Sequence, residues 1–167
     1  MTLNRRIATA LGLTAALAAC TPSTTKTAAV TAPFSVNELM VMIVDHPGEL
    51  LWDIEKDGHA PKTPEDWYQL ENHSVELASA ATLIKLGGTG PKDAGWASNK
   101  DWQSDAQRLV TAALAARQAA HNKDLPTLIT ANGQIVDACE ACHKEFKPDI
   151  PTGGLFMHQP PVSPDHQ

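Results

Sequence analysis

Basic residues are scarce. Lys and Arg total 13 against 19 Asp and Glu, which leaves a net charge of −6 over 167 residues. Arg5 and Arg6 fall in an N-terminal segment read below as a signal, so the mature chain is more acidic still. No run of like positive charge occurs, which argues against recognition of DNA, RNA or an anionic membrane face through charge. Aromatics make up 5% of the chain, and half of them are the four Trp. Strand-like alternation is missing, as are a Gly-rich phosphate loop, a nucleophile–base pair and a paired-acid site. Nothing in the pattern requires an enzyme. The 12 Pro and 10 Gly lie mostly outside the periodic stretches, so low-complexity disorder is not the general state. The length suits one globular core and is short for two. Three Cys is an odd number, and their positions explain them better than pairing does.

The ends of the chain differ from its middle. Residues 1–19 read as a secretory signal: Asn4, Arg5 and Arg6 precede an apolar run from Ile7 to Ala19 that is too short for a permanent span. The run closes on Leu17-Ala18-Ala19-Cys20, which resembles the lipobox of bacterial lipoproteins. That resemblance implies acylation of Cys20 and cleavage just before it. An ordinary signal with an incidental Cys is the alternative. Three acyl chains, at ~0.8 kcal/mol per buried methylene, make a stable anchor. Thr21 after the Cys resembles the sorting context of outer-membrane lipoproteins. Residues 20–34 are small and polar and read as a tether. Residues 148–167 carry five Pro and no helical period, and form a Pro-rich C-terminal arm. The folded domain is then 35–147.

Within it the periodicity predicts four helices. Ser35 and Glu38 have capping-box spacing, and Val36, Met40, Ile43, Pro47, Leu50 and Ile54 fall on one stripe at ~100° per residue. Pro47-Gly48 is expected to kink or break this first helix. Thr63-Pro64-Glu65-Asp66 starts the second, whose stripe runs Trp67, Leu70, Ser74, Leu77, Ala81 and Ile84 until Gly87-Gly88. A Gly/Pro-rich loop is expected up to Trp96. The third helix starts near Ser98 or Asn99, shows Trp102, Ala106, Leu109, Ala113, Ala116 and Ala120, and ends around His121. Asp124 and Pro126 open the fourth, with Leu128, Asn132, Ile135, Cys139, Cys142 and Phe146 in steps of three and four. The fold class is all-α, an antiparallel four-helix bundle.

Cys139-Glu140-Ala141-Cys142-His143 is the C-x-x-C-H pattern of covalent haem attachment. Two thiols add across the two vinyl groups of one porphyrin, and the adjacent imidazole reaches the iron from the same side. Positions i, i+3 and i+4 share a helix face, here the core stripe of the last helix, so one haem c would sit inside the bundle. Other uses fit less well. A thioredoxin-like dithiol belongs at a helix N-terminus in a βαβ unit. Zinc requires further ligands. A disulfide across a helical C-x-x-C is strained.

A C-terminal C-x-x-C-H on the fourth helix of a bundle resembles the cytochrome c-prime superfamily, including its low-spin branch. The resemblance covers 35–147 and rests on SVNELMVMIVDHPGELLWD, EDWYQLENHSVELA, the Trp102 helix and DACEACHKEF. It implies His143 as proximal iron ligand and a distal position that is either open beside an apolar side chain or filled by a Met of helix one. Met40 lies on the core stripe and matches the relatives' E-L-M segment, whereas Met42 is about 200° around the wheel. Met40 is therefore the expected distal ligand, or else the lid of an open site. By the same analogy Lys147 lies near a haem propionate. His46, His59, His73 and His121 are expected to be solvated or half-buried. His158 in the arm is the remaining, weaker alternative at the iron. The four Trp are expected as bundle filler and pocket walls. Relatives that pair through their first two helices leave a homodimer open.

Two functions differ at one bond. An electron carrier, tethered by lipid at the periplasmic face of a bacterial membrane and exchanging single electrons with periplasmic redox proteins, requires Met40 on the iron. A module that binds or senses NO or CO requires an open site. A haem-free structural lipoprotein is the third option, and C-x-x-C-H argues against it.

Overall fold

The computed structural model of the protein describes residues 30–149. The signal segment, Cys20 with its predicted acylation, most of the tether, and the arm from residue 150 with His158 lie outside the described residues. Among the described residues every regular element is helical. None of these helices is long and apolar enough to cross a membrane.

The first bundle helix is one run of three parts: α1 (Val36–Leu39), a π segment (Met40–Val44) and α2 (Asp45–Asp53). Ser35 caps it, its hydroxyl accepting from the Glu38 amide at 3.1 Å while the Glu38 carboxylate accepts from the Ser35 amide at 2.7 Å. The expected break at Pro47-Gly48 does not occur. The chain instead widens just before it, where the Asp45 amide bonds the Met40 carbonyl five residues back. A π turn adds a residue to one turn of helix and rotates everything after it. The inward residues are accordingly Val36, Leu39, Val44, Pro47, Gly48, Leu51 and Ile54. Leu50, placed on the stripe by constant helical spacing, is only half-buried, and Leu51 beside it is fully buried.

The next helix, α3 (Pro64–Lys85), starts at the Thr63 cap with Asp66 completing the box, and stops at Gly87, whose φ of +72° suits Gly. The segment expected as a loop then forms a short helix, α4 (Asp93–Ser98). It escapes a periodicity reading because it is too short for an apolar stripe and is held by tertiary contacts: the Asp93 carboxylate, the stack of Trp96 on Trp102, and the Ala97 carbonyl accepting from Gln103 at 2.8 Å. Asn99 caps α5 (Lys100–His121), and Asp124 caps α6 (Leu125–Phe146).

The four long helices run antiparallel. The Trp102 indole at the start of α5 donates to the Ile84 carbonyl at the end of α3, at 3.1 Å. At the other end Glu71 of α3 meets Arg117 at 3.4 Å and His121 at 3.2 Å. The Phe146 ring closing α6 stands edge-on to Trp102, centroids 5.0 Å apart. Asn132 of α6 donates to the Leu51 carbonyl of α2 at 2.6 Å. Ala113, Ala116 and Ala81 are fully buried; such small side chains let α3 and α5 approach closely, while Leu77, Leu128, Ile135 and Trp102 fill the core between them.

Candidate functional site

A cleft of about 630 Å³, counting its solvent-open part, lies between all four long helices. The first helix contributes Met40, Val44, Asp45, Gly48 and Trp52. Leu77, Ala81 and Ile84 come from α3, and Asp105, Ala106 and Leu109 from α5. The last helix adds Ile135, Ala138, Cys139, Cys142 and His143. The room comes from small residues: Gly48, Ala81, Ala106 and Ala138 stand where larger side chains would close the space.

The two thiols and the imidazole share this wall because α6 is regular through Phe146, so i, i+3 and i+4 fall on one face. Met40 reaches the same cleft from the first residue of the π segment, and Met42 points away, 75% exposed. Burial pushes both thiols up to about 12; Cys142 raises Cys139 further, and Asp105 raises Cys142. Both sulfurs are thus held protonated at neutral pH. Burial also raises the Asp45 carboxyl above its ordinary value, an effect that the charge of His143 opposes and Glu49 adds to. Asp105 is nearly enclosed, at 6% exposure, and is paired with the Arg108 guanidinium.

Not every predicted residue gathers here. Lys147 caps the end of α6, and its ammonium lies over the Trp96 ring, 5.3 Å from the centroid; it is not among the residues that line the cleft. Trp96 stacks on Trp102 at 5.0 Å, and both belong to the end of the bundle. Only Trp52 among the Trp residues lines the cleft. His73 sits on α3 against Glu76 at 3.4 Å and edge-on to His46. His59 and His121 face Asp53 and Glu71. Sequence reasoning missed Asp45 and Asp105. The i,i+3 spacing of Asp105 and Arg108 beside the Ala106 stripe position is the signal that points to Asp105. Nothing in the first-helix pattern singles out Asp45, because its inward turn depends on the π segment.

The donor set fits a covalently held haem. Two thiols at helical i,i+3 spacing, an imidazole one residue on and a thioether from a facing helix converge on an apolar cleft that spans the bundle. The cleft also contains an orphan: the Trp52 indole nitrogen is buried with no hydrogen-bond partner among the described residues. Among the described residues no group of three or more His, Cys, Asp or Glu is placed to hold a bare metal ion. A porphyrin suits these donors better.

Residues 65–147, from the first turn of α3 to the cap of α6, match the family model described as Cytochrome C'. No curated protein and no solved structure matches the chain. The matched family implies a covalently bound c-type haem, and the match, on an all-helical bundle with C-x-x-C-H on its last helix, supports the cytochrome c-prime superfamily for this chain.

Proposed function

We propose that this chain is a one-haem cytochrome that carries single electrons, with Cys139 and Cys142 as thioether anchors, His143 as proximal ligand and Met40 as distal ligand. The observation that carries the reading is that these four side chains, three from α6 and one from the π segment, line one cleft. When bound, the haem iron supplies reversible storage of one electron. The rest is the work of the protein. His143 and Met40 would hold the metal from two helices, a ligand pair that favours the reduced state relative to two nitrogen donors. Leu77, Ile84, Leu109 and Ile135 exclude water, which limits reorganisation when charge changes.

In this reading the N-terminal segment directs export, Cys20 carries the lipid anchor, and the partners are redox proteins at the periplasmic face of the membrane. The absorption spectrum of the purified ferric and ferrous protein tests the assignment. A low-spin ferric spectrum with a thioether-to-iron charge-transfer band is expected. A high-spin spectrum would replace this reading with the open site of an NO- or CO-binding protein.

A further inference from the structure

Trp52 stands out among the cleft-lining side chains. Its ring packs over Gly48 one turn back, where an added Cβ would lie 3.7 Å from Cζ2, so the indole is seated against bare backbone at the cleft wall. Its Nε1–H is buried and unpartnered. The other enclosed indole, Trp102, has its N–H satisfied by the Ile84 carbonyl. Buried indole N–H groups nearly always find an acceptor. Among the described residues no group accepts from it, and no hydrogen bond joins it to Asn132 Oδ1, which is also buried and unpartnered; the Trp52 donor therefore points to an acceptor outside the described residues.

The position of Trp52 says which acceptor. The Asn132–Leu51 hydrogen bond sets Trp52 beside the middle of α6. Cys139 and Cys142 lie seven and ten residues further along α6, roughly 10–15 Å at the helical rise. Thioethers at those two positions tie down the vinyl edge of a porphyrin, and its two propionates are on the opposite edge. Charge narrows the choice further. Asp45 and Asp105 repel a carboxylate, and the Arg108 partner of Asp105 is already engaged. Among the lining side chains only Trp52 and His143 carry N–H groups, and His143 faces the iron in the reading above.

We propose that the Trp52 indole N–H donates a hydrogen bond to a propionate carboxylate of the bound haem and fixes that edge of the cofactor in the bundle. The inference rests on the reading of Cys139 and Cys142 as haem anchors. Trp52 acts as a positioning residue: it holds the carboxylate-bearing edge while the cysteines hold the other, so the ring cannot tilt between the His143 and Met40 helices.

Trp52→Phe in the full, haem-loaded chain tests this, because it keeps an aromatic wall and removes only the donor and one ring. Haem staining on a denaturing gel first reports covalent attachment in parent and variant. A parent without covalent haem overturns the anchor reading, and this inference with it. With haem attached in both, the propionate-bending band in the resonance Raman spectrum should shift in Trp52→Phe toward that of a water-solvated propionate; an unchanged band overturns the proposal and leaves the anchor reading standing. Should the variant fail to load haem, the parent decides. In the ferrous protein, taken as its CO adduct if the iron is high-spin, a nuclear Overhauser contact between the Trp52 indole N–H and the propionate methylenes is expected, and its absence overturns the assignment.

Discussion

The Asp93 carboxylate accepts a hydrogen bond from the Val36 amide at 2.8 Å, joining the short helix α4 to the first turn of the helix that carries Met40. The same oxygen accepts from the Gly90 amide at 2.8 Å, and Asp93 is only 3% exposed. Ser35 and Glu38 satisfy their own donors, so Asp93 supplies the acceptor that the start of this helix otherwise lacks. Asp93→Ala leaves the Val36 amide buried and unpaired. A loss of about 1–3 kcal/mol is expected, measurable by urea denaturation, and Asp93→Asn should lose less because it keeps one acceptor oxygen.

The turn beneath this contact has no spare room. A Cβ at Gly88 would lie 2.1 Å from the Phe34 carbonyl oxygen and 2.8 Å from the Asp93 carboxylate. Gly88→Ala must push residue 34 away and break the Thr89 amide's bond to Phe34, now 3.1 Å. A cost of about 1–3 kcal/mol or more is expected. Gly95→Ala is the control, since open space surrounds that position in α4. It should be neutral or stabilising by up to ~1 kcal/mol through helix propensity. Thermal melts of the two variants should move in opposite directions, or one should move and the other stay.

Much of this arrangement is legible in the residues themselves. The caps at Thr63, Asn99 and Asp124 start three helices where they are observed, because each cap side chain binds amides within its own turn and needs no distant partner. The cleft wall on α6 is equally local, being fixed by the spacing of Cys139, Cys142 and His143. The first helix is different. A wheel advancing at constant angle cannot register the extra residue of a π turn, so it places Leu50 where Leu51 belongs and gives no reason for Asp45 to turn inward. The short helix α4 is hidden for another reason: its anchor, Asp93, works across 57 residues of chain.

That register shift can be measured by paired truncation. Leu51 is fully buried and Leu50 half-buried. Leu51→Ala should cost ~2–5 kcal/mol, the range for a closed core site, and Leu50→Ala clearly less. Equal losses, or the reverse order, would restore the uninterrupted helical register.

Thiol chemistry gives a pH dependence in the chain before haem attachment. An unperturbed thiol titrates near 9.0, and in the folded cleft both Cys139 and Cys142 are pushed up to about 12. Below pH 9 folded and unfolded chains both hold these protons, and no stability is lost. As pH rises from 9 toward 12 the unfolded chain releases protons that the folded chain retains, so stability falls across that window. At pH 8 the folded thiols should react with a disulfide reagent on the order of a thousandfold more slowly than in urea, because the thiolate is the nucleophile. Attachment is then expected on an open chain, and a folded apoprotein offered haem should bind it without forming thioethers.

The last prediction separates two neighbouring methionines. Met40 begins the π segment and its side chain lines the cleft, whereas Met42 is 75% exposed on the far side. The widened turn accounts for the difference: the Met40 carbonyl accepts from the Asp45 amide five residues on, so one residue is absorbed before Pro47, and both Met40 and the α2 residues Gly48 and Trp52 can face the same space. π turns of this kind recur at functional sites because they re-aim a side chain without ending the helix. A thioether at the iron is a soft donor that favours the ferrous state and blocks exogenous ligands. Met40→Ala should convert the haem to high spin, lower its potential and admit CO, while Met42→Ala should leave the spectrum as it is. Truncating a half-buried Met costs stability through packing as well, up to ~2–5 kcal/mol, so the spectrum and not the melting point is the readout. A Met40→Ala spectrum identical to the parent's would remove Met40 from the iron, and with it the ligand pair on which the electron-carrier reading depends.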